Sequence, residues 1–296
     1  MYPKRFVFKL LSAVALVFLA FLPAVSQASM VRVLTVLGPI DIALYDAAAP
    51  LTVANFLSYV NSGAYKNSFI HRNVPGFIIQ GGGYTWENGV QTIAALGPVM
   101  NEYSASRPNV RGTVAMAKLG SDPNSATNQW FVNLADNSAN LDVQNGGFAV
   151  FGQVTTSGMK VADAIAALST VNACGINAGC AFTNLPITSM PATGSLQQGN
   201  LVMVNSASLI AFTSDSDRLF NYLEATYPQY LSLPGSASAT ANVNGTAYYY
   251  RYYPQSNSYI GTANGMVYYL VPAISGNITT LGTLAAWLAT VAGAGY

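Results

Sequence analysis

Five short segments, 68–72, 77–81, 113–117, 129–133 and 149–154, are apolar or alternating, and clusters rich in Gly, Pro, Asn or Ser separate them. Each has the length and β-branched or aromatic character of a strand. Upstream, residues 30–37 and 40–44 alternate on either side of Gly38-Pro39, which predicts two strands around a turn, and 201–206 predicts a last strand. Only two stretches in this part have helical spacing. Pro50 suits a first turn, Val53, Phe56, Leu57 and Val60 fall on one face, and Gly63 is a natural stop; Val161, Ile165 and Leu168 mark the second. Many short strands with two helices point to a closed antiparallel barrel plugged by helices, not to alternating βαβ units.

Within that pattern, FIHRNVPGFIIQGGGYT (69–85) carries the most chemistry. Arg72 and Gln80 are placed to line one wall of a strand-built groove, with Phe77 and either Ile78 or Ile79 beside them. A cationic fork next to an apolar slot suits a ligand that is greasy on one side and amide-like on the other. His71, the single histidine of the chain, has no triad or ligand set around it and reads as a packed residue. Gly81-Gly82-Gly83 lacks the spacing and the lysine of a phosphate loop and reads as tight backbone packing.

The same segment resembles the signature of the cyclophilins, the peptidyl-prolyl cis-trans isomerases. The HR-x-x-PGF pattern is intact from His71 to Phe77, and GTVAMAKLG (112–120) and SATNQWFVNLADN (125–137) follow in the family's order. The resemblance implies an eight-stranded barrel capped by two helices over about residues 30–209. It implies Arg72 as the hydrogen-bond donor to the prolyl nitrogen and Gln80 as the holder of the substrate backbone and of that arginine. Phe77, Ile78, Gln129 and Phe131 belong to the pocket, with Phe131 as its floor, and Ile78 stands where the family usually has Met. Ala117 and Lys118 are expected to meet substrate through the backbone, and Leu141 and Phe148 to form the outer rim. Asn140 stands where animal cyclophilins commonly have the tryptophan that binds cyclosporin, so weak cyclosporin binding is expected. The rim histidine of the family is replaced near Phe148, after a longer loop. No cofactor or metal is needed; the expected partners are proline-containing peptides and unfolded exported proteins. The alternative is a non-catalytic module that binds proline peptides, with a targeting or adhesion tail.

Around residue 212 the composition changes, and 212–296 is expected to be a small Tyr-rich α+β module. A capped helix over 214–223, a loop over 233–240, a hairpin of YIGTA and MVYYL around Asn264-Gly265, and a helix over 280–291 are predicted. DRLFNYLEATYPQY and YYYRYYPQSNSYIG resemble a C-terminal module appended to various exported bacterial proteins. The tyrosine runs at 248–250 and 268–269 suit either a binding platform or, more simply, an amphipathic strand.

Lys4 and Arg5 followed by an apolar run over 10–22 and Ser26-Gln27-Ala28 predict a signal peptide, 1–28, cleaved after Ala28. The expected location is therefore the periplasm or the exterior, with no integral membrane segment after cleavage. Three of the 12 basic residues lie in this leader, leaving nine against 11 acidic ones, a net charge of about −2. With only 8% of residues charged and no basic stripe, nucleic acid is not an expected partner. Cys174 and Cys180 suit a structural disulfide in an oxidising compartment, closing a small loop for about 2 kcal/mol. A redox pair would more usually be Cys-x-x-Cys, and a metal site would want further Cys or His.

Overall fold

Strand β1, Met30–Thr35, returns as β2, Gly38–Leu44, in the arrangement that the alternation at 30–44 anticipates. The turn falls on Val36-Leu37 and not on Gly38-Pro39: Thr35 Oγ1 donates to the Gly38 carbonyl at 2.7 Å and accepts from the Leu37 amide at 3.1 Å. The computed structural model describes residues 29–296 except 176–180, 192–194, 211, 234 and 273–277. The expected leader, its cleavage point and Cys180 lie outside the described residues.

Helix α1, Pro50–Asn61, has proline in its first turn and buries Val53, Phe56 and Val60 of the stripe read from the sequence, with its fourth member, Leu57, half-buried. Short strands follow: β3 Ser68–Phe69, β4 Arg72–Val74, β5 Ile78–Gly81, β6 Tyr84–Trp86, β7 Val90–Thr92, β8 Thr113–Met116 and β9 Trp130–Asn133. Then come α2 Ser138–Leu141, β10 Val150–Val154, α3 Thr156–Ala166, the small pair β11 Thr170–Val171 and β12 Leu185–Pro186, and β13 Met203–Ile210. Among the described residues eleven strands form one curled sheet in the order β4-β5-β9-β8-β10-β2-β1-β13-β3-β6-β7. That is three more than the eight expected, and two of the three are the hairpin β6–β7, three residues to a strand. Only Ile70 and His71 separate β3 from β4. Ile70 donates its amide to Val202 and His71 donates its own to Gln80, each at 3.0 Å, so the chain steps from one flank of the sheet to the other within two residues.

The period of two in the strands decides what lies inside. Val31, Val33, Ile40, Ile42 and Leu44 join Phe56, Ile79, Trp130, Val132 and Phe151 in the main core. Phe56 meets Phe151 with ring centroids 5.0 Å apart. Each such ring, taken out of water, contributes about 1.5–3 kcal/mol. The alternate residues Met30, Arg32, Asp41 and Ala43 point the other way, toward the C-terminal region.

That region contains α4 Asp215–Thr226, the strands β14 Ala239–Val243, β15 Thr246–Tyr253, β16 Ser258–Ala263, β17 Met266–Leu270 and β18 Thr279–Thr283, and α5 Leu284–Gly293. The strands form a second sheet in sequence order. Ser214 caps α4 by accepting from the Asp217 amide at 3.2 Å. Both Asn244-Gly245 and Asn264-Gly265 have positive φ at each residue, the geometry of a tight hairpin turn. Two expectations shift here. The loop expected over 233–240 already enters β14, and the helix expected from 280 starts only at Leu284. Residues 279–283 instead pair with β17, and Thr283 caps the helix by accepting from Ala286 N at 3.2 Å. No helix among the described residues is long and apolar enough to cross a membrane.

Candidate functional site

Five adjacent strands set one row of side chains side by side. Arg72 on β4 lies opposite Gln80 on β5, Gln80 opposite Phe131 on β9, Phe131 opposite Ala115 on β8, and Ala115 opposite Val150 on β10. Directly paired residues of an antiparallel ladder share a face. This face is opposite the one that carries Ile79, Val132 and Val114 into the main core. The choice between Ile78 and Ile79 is thereby decided: Ile78 packs with Phe131, Leu141 and Val150, and half-buried Phe77, Ala117 and Phe148 complete the cluster. Phe131 and Phe148 meet edge to face, centroids 5.7 Å apart at 73°. Leu141 arrives from α2, whose start is tied down by Asn137. The result is an aromatic cluster on the outer face of the curled sheet, with its polar edge at Arg72 and Gln80.

The polar edge is a short relay. Arg72 Nη1 lies 3.5 Å from Gln80 Oε1, a long contact that leaves the guanidinium's donors largely uncommitted. No acidic side chain among the described residues forms an ion pair with it. Partial burial lowers its pKa from the ordinary value. Gln80 Nε2 donates to Gln129 Oε1 at 2.8 Å. Behind this relay His71 is buried, edge-on to Tyr84 at 5.0 Å, with Nδ1 unpaired. Burial pushes its pKa down from 6.5 to about 3; the Gln129 side chain opposes that shift and the Arg72 charge adds to it. Among the described residues no three His, Cys, Asp or Glu side chains gather to hold a metal ion.

The state of His71 has a consequence for stability. Its folded pKa lies below its unfolded one, so its contribution is complete above about pH 6.5 and is lost as pH falls toward 3. The melting temperature is expected to drop between pH 6.5 and 5, by an amount reflecting a few kcal/mol at most. His71→Asn should flatten the profile in that window. An unchanged slope in the variant would show that other groups set the acid limb.

Residues 30–188 match the family model described as cyclophilin type peptidyl-prolyl cis-trans isomerase/CLD, just over half of the chain. The chain belongs to the cyclophilin family. It is 45% identical over 157 residues to peptidyl-prolyl cis-trans isomerase A of Dickeya dadantii (strain 3937), a match covering 52% of this chain and 80% of that protein. It is 42% identical over 137 residues to peptidyl-prolyl cis-trans isomerase B of Escherichia coli (strain K12), covering 45% and 81% respectively. A solved cyclophilin-type isomerase of Cryptosporidium parvum is 21% identical, with a TM-score of 0.47, over 62% of this chain and 98% of that one.

In this cyclophilin, a network of residues that sequence reasoning passed over, and a lysine side chain whose role it read only through the backbone, shape the cluster. A chain of buried asparagines runs beneath it. Asn137 Nδ2 donates to the Phe77 carbonyl at 2.9 Å and to Asn133 Oδ1 at 2.8 Å. Asn133 Nδ2 donates to Asn109 Oδ1 at 3.1 Å, and Asn109 Nδ2 donates to the Phe148 carbonyl at 3.0 Å and Asp142 Oδ1 at 2.8 Å. The carbonyls of the two flanking phenylalanines are thus linked through one network. A signal was available: Asn133 ends the apolar WFVN strand, where an asparagine needs a buried partner. Lys118 is that lysine. Its ammonium donates to the carbonyls of Asn145 and Gly147. Burial lowers its pKa, against the pull of Asp122.

Proposed function

We propose that this cyclophilin is an exported peptidyl-prolyl cis-trans isomerase that turns X-Pro bonds in unfolded exported proteins. The observation that carries this reading is the row Arg72–Gln80–Phe131, a largely uncommitted guanidinium at the edge of an aromatic cluster. Rotation about X-Pro must break amide resonance, against a barrier of roughly 18–20 kcal/mol. Lowering it by about 5–6 kcal/mol accelerates the step ~10⁴-fold. No covalent step is required; the site must bind the twisted amide better than either planar isomer.

Phe77, Ile78, Phe131, Leu141 and Phe148 hold the proline ring and keep water from it. Arg72 donates to the prolyl nitrogen, whose lone pair becomes available only when resonance is lost, so the bond strengthens along the reaction coordinate. Gln80, held by Gln129, keeps Arg72 in place and accepts or donates to the substrate backbone. Ala117 and Lys118 offer backbone groups to the residues beside the proline. The positively headed apolar segment 1–28 supports export and cleavage after Ala28, and the disulfide-bonded state of Cys174 supports a bridge to Cys180. The curl through residues 68–74 supports a closed barrel, and the change of sheet after β13 supports a boundary near 211. Asn140 supports weak cyclosporin binding.

Proton NMR of an Ala-Pro-Phe peptide tests the reading. With a catalytic amount of the protein, the separate cis and trans signals should broaden and exchange in well under a second, against tens of seconds or more without it. Peptide shifts that saturate with no exchange would make the protein a proline-peptide binder instead.

A further inference from the structure

The loop that leads into Phe148 has an unusual support. Asn145, Gly146 and Gly147 have φ of 47°, 75° and 75°, three successive residues of positive φ. Asn145 carries a Cβ and pays a strain for that conformation. Such a segment keeps its shape only when its surroundings impose it. Four side-chain bonds do so. Lys118 Nζ donates to the Asn145 carbonyl at 2.5 Å and the Gly147 carbonyl at 2.6 Å. Asn101 Nδ2 donates to the carbonyls of Gly146 and Gly147 at 3.0 and 2.9 Å. Asn145 Nδ2 in turn donates to the carbonyl of Leu119, the residue after Lys118, at 2.9 Å. A Cβ on Gly147 would lie 2.4 Å from the Tyr103 ring, so the loop also sits flush against its neighbour.

Lys118 differs from the other supports in touching the pocket residue as well as the loop. Its ammonium lies 4.8 Å from the centroid of the Phe148 ring, in the geometry of a cation–π contact. Phe148 leans edge-on against Phe131. One charged group therefore fixes the backbone on the N-terminal side of Phe148 and also contacts its ring.

We propose that Lys118 is a positioning residue, which acts through its side chain to set Phe148 as the movable wall of the proline pocket. This goes beyond a backbone contact with substrate, and it rests on reading the Phe77–Phe148 cluster as the proline pocket. Removing the ammonium frees the Asn145 carbonyl and the ring together and leaves the Gly147 carbonyl to Asn101 alone. The wall then samples open positions, and substrate binding weakens while the arginine donor stays intact. The expected loss is in KM, not in kcat.

Three variants of the full chain test this: Lys118→Met, Lys118→Arg and Phe148→Ala, with the double variant Lys118→Met/Phe148→Ala. Lys118→Met should lower kcat/KM for the Ala-Pro-Phe peptide about fivefold through KM, and Lys118→Arg, which keeps charge and donors, should recover most of it. In the Phe148→Ala background, Lys118→Met should cost little more, because its effect runs through the ring. Hydrogen exchange of the Phe148 amide, which donates to the Leu141 carbonyl at 3.0 Å, should quicken in Lys118→Met whether or not the protein turns over peptide. That readout separates the two readings: an inactive wild type overturns the isomerase assignment, whereas unchanged exchange in Lys118→Met overturns the positioning role. A full fivefold loss on top of Phe148→Ala would also overturn it, since Lys118 would then be meeting substrate itself.

Discussion

Arg32→Met is expected to destabilise the folded chain by about 3–5 kcal/mol, the cost of leaving buried carboxylates without their cation. Arg32 stands on β1 directly opposite Asp41 on β2, and both face the C-terminal region. Its guanidinium donates from Nε and Nη2 to the two Asp41 oxygens, each at 2.7 Å, from Nη2 to the Asn221 carbonyl at 2.9 Å, and from Nη1 to Glu224 on α4. Glu224 also accepts from Arg251 Nη1 at 2.9 Å and from the Tyr253 hydroxyl at 2.8 Å, and Arg251 Nη2 reaches Asp217 Oδ1 at 3.0 Å. The last residue, Tyr296, donates its hydroxyl to Asp41 at 2.5 Å. Burial alone would raise the Glu224 pKa; Arg32 and Arg251 outweigh it and hold the carboxylate ionised.

In Arg32→Met, Asp41 retains the Tyr296 hydroxyl as its donor from the C-terminal end, and Glu224 must rely on Arg251. Urea unfolding followed by circular dichroism reads the loss. The triple variant Arg32→Met/Asp41→Asn/Glu224→Gln, which removes the charges together, should regain at least half of it. A loss under about 1 kcal/mol for Arg32→Met would mean that the cluster behaves like surface ion pairs. The same geometry bears on the proposed boundary near 211. A chain cut there would uncover Met30, which packs with Leu219, Phe220 and Tyr296, so it should unfold at lower urea than the whole.

Much of the first, curled sheet was legible because its signals are local. The i, i+3, i+4, i+7 stripe from Val53 to Val60 gave α1, and alternation in GTVAM and WFVN gave β8 and β9. The site was legible for a related reason. The resemblance of the ordered motifs at 69–85, 112–120 and 125–137 named Arg72, Gln80, Phe131 and Ala117 as candidates, and the strand register sets them on one face. What stayed hidden depends on pairing across distance. Nothing in MVRVLT says that Arg32 will meet a glutamate 192 residues away. The asparagine network links residues 77, 109, 133, 137 and 148, and none of those spacings is periodic. Lys118 was expected to meet substrate through its backbone, and the role of its side chain stayed hidden because the partners are backbone carbonyls, which leave no trace in side-chain patterns. At the C-terminal end, LGTLAAWLATV has helical spacing from Leu281, yet pairing with β17 claims residues up to Thr283. Tertiary context there overrides local preference.

Arg72→Ala is expected to cut kcat/KM for the Ala-Pro-Phe peptide about 10²–10³-fold, the usual effect of removing a hydrogen-bond donor aimed at the transition state. Little else should change. Arg72 takes part in no ion pair among the described residues, and its contact with Gln80 is long. The variant should therefore melt within a few degrees of the wild type. Peptide binding, which comes mainly from the aromatic pocket, should persist, because the donor acts only on the twisted amide. Arg72→Lys should fall between the two, since a point charge cannot reproduce the planar fork beside Gln80. Measuring the isomerisation rate of that peptide with the wild type and with Arg72→Ala, alongside peptide affinity, tests the central assignment most directly. Fast turnover that collapses in the variant while affinity holds is the predicted result. Turnover within about twofold of the wild type would contradict the role of Arg72, and no turnover by the wild type would contradict the isomerase assignment itself.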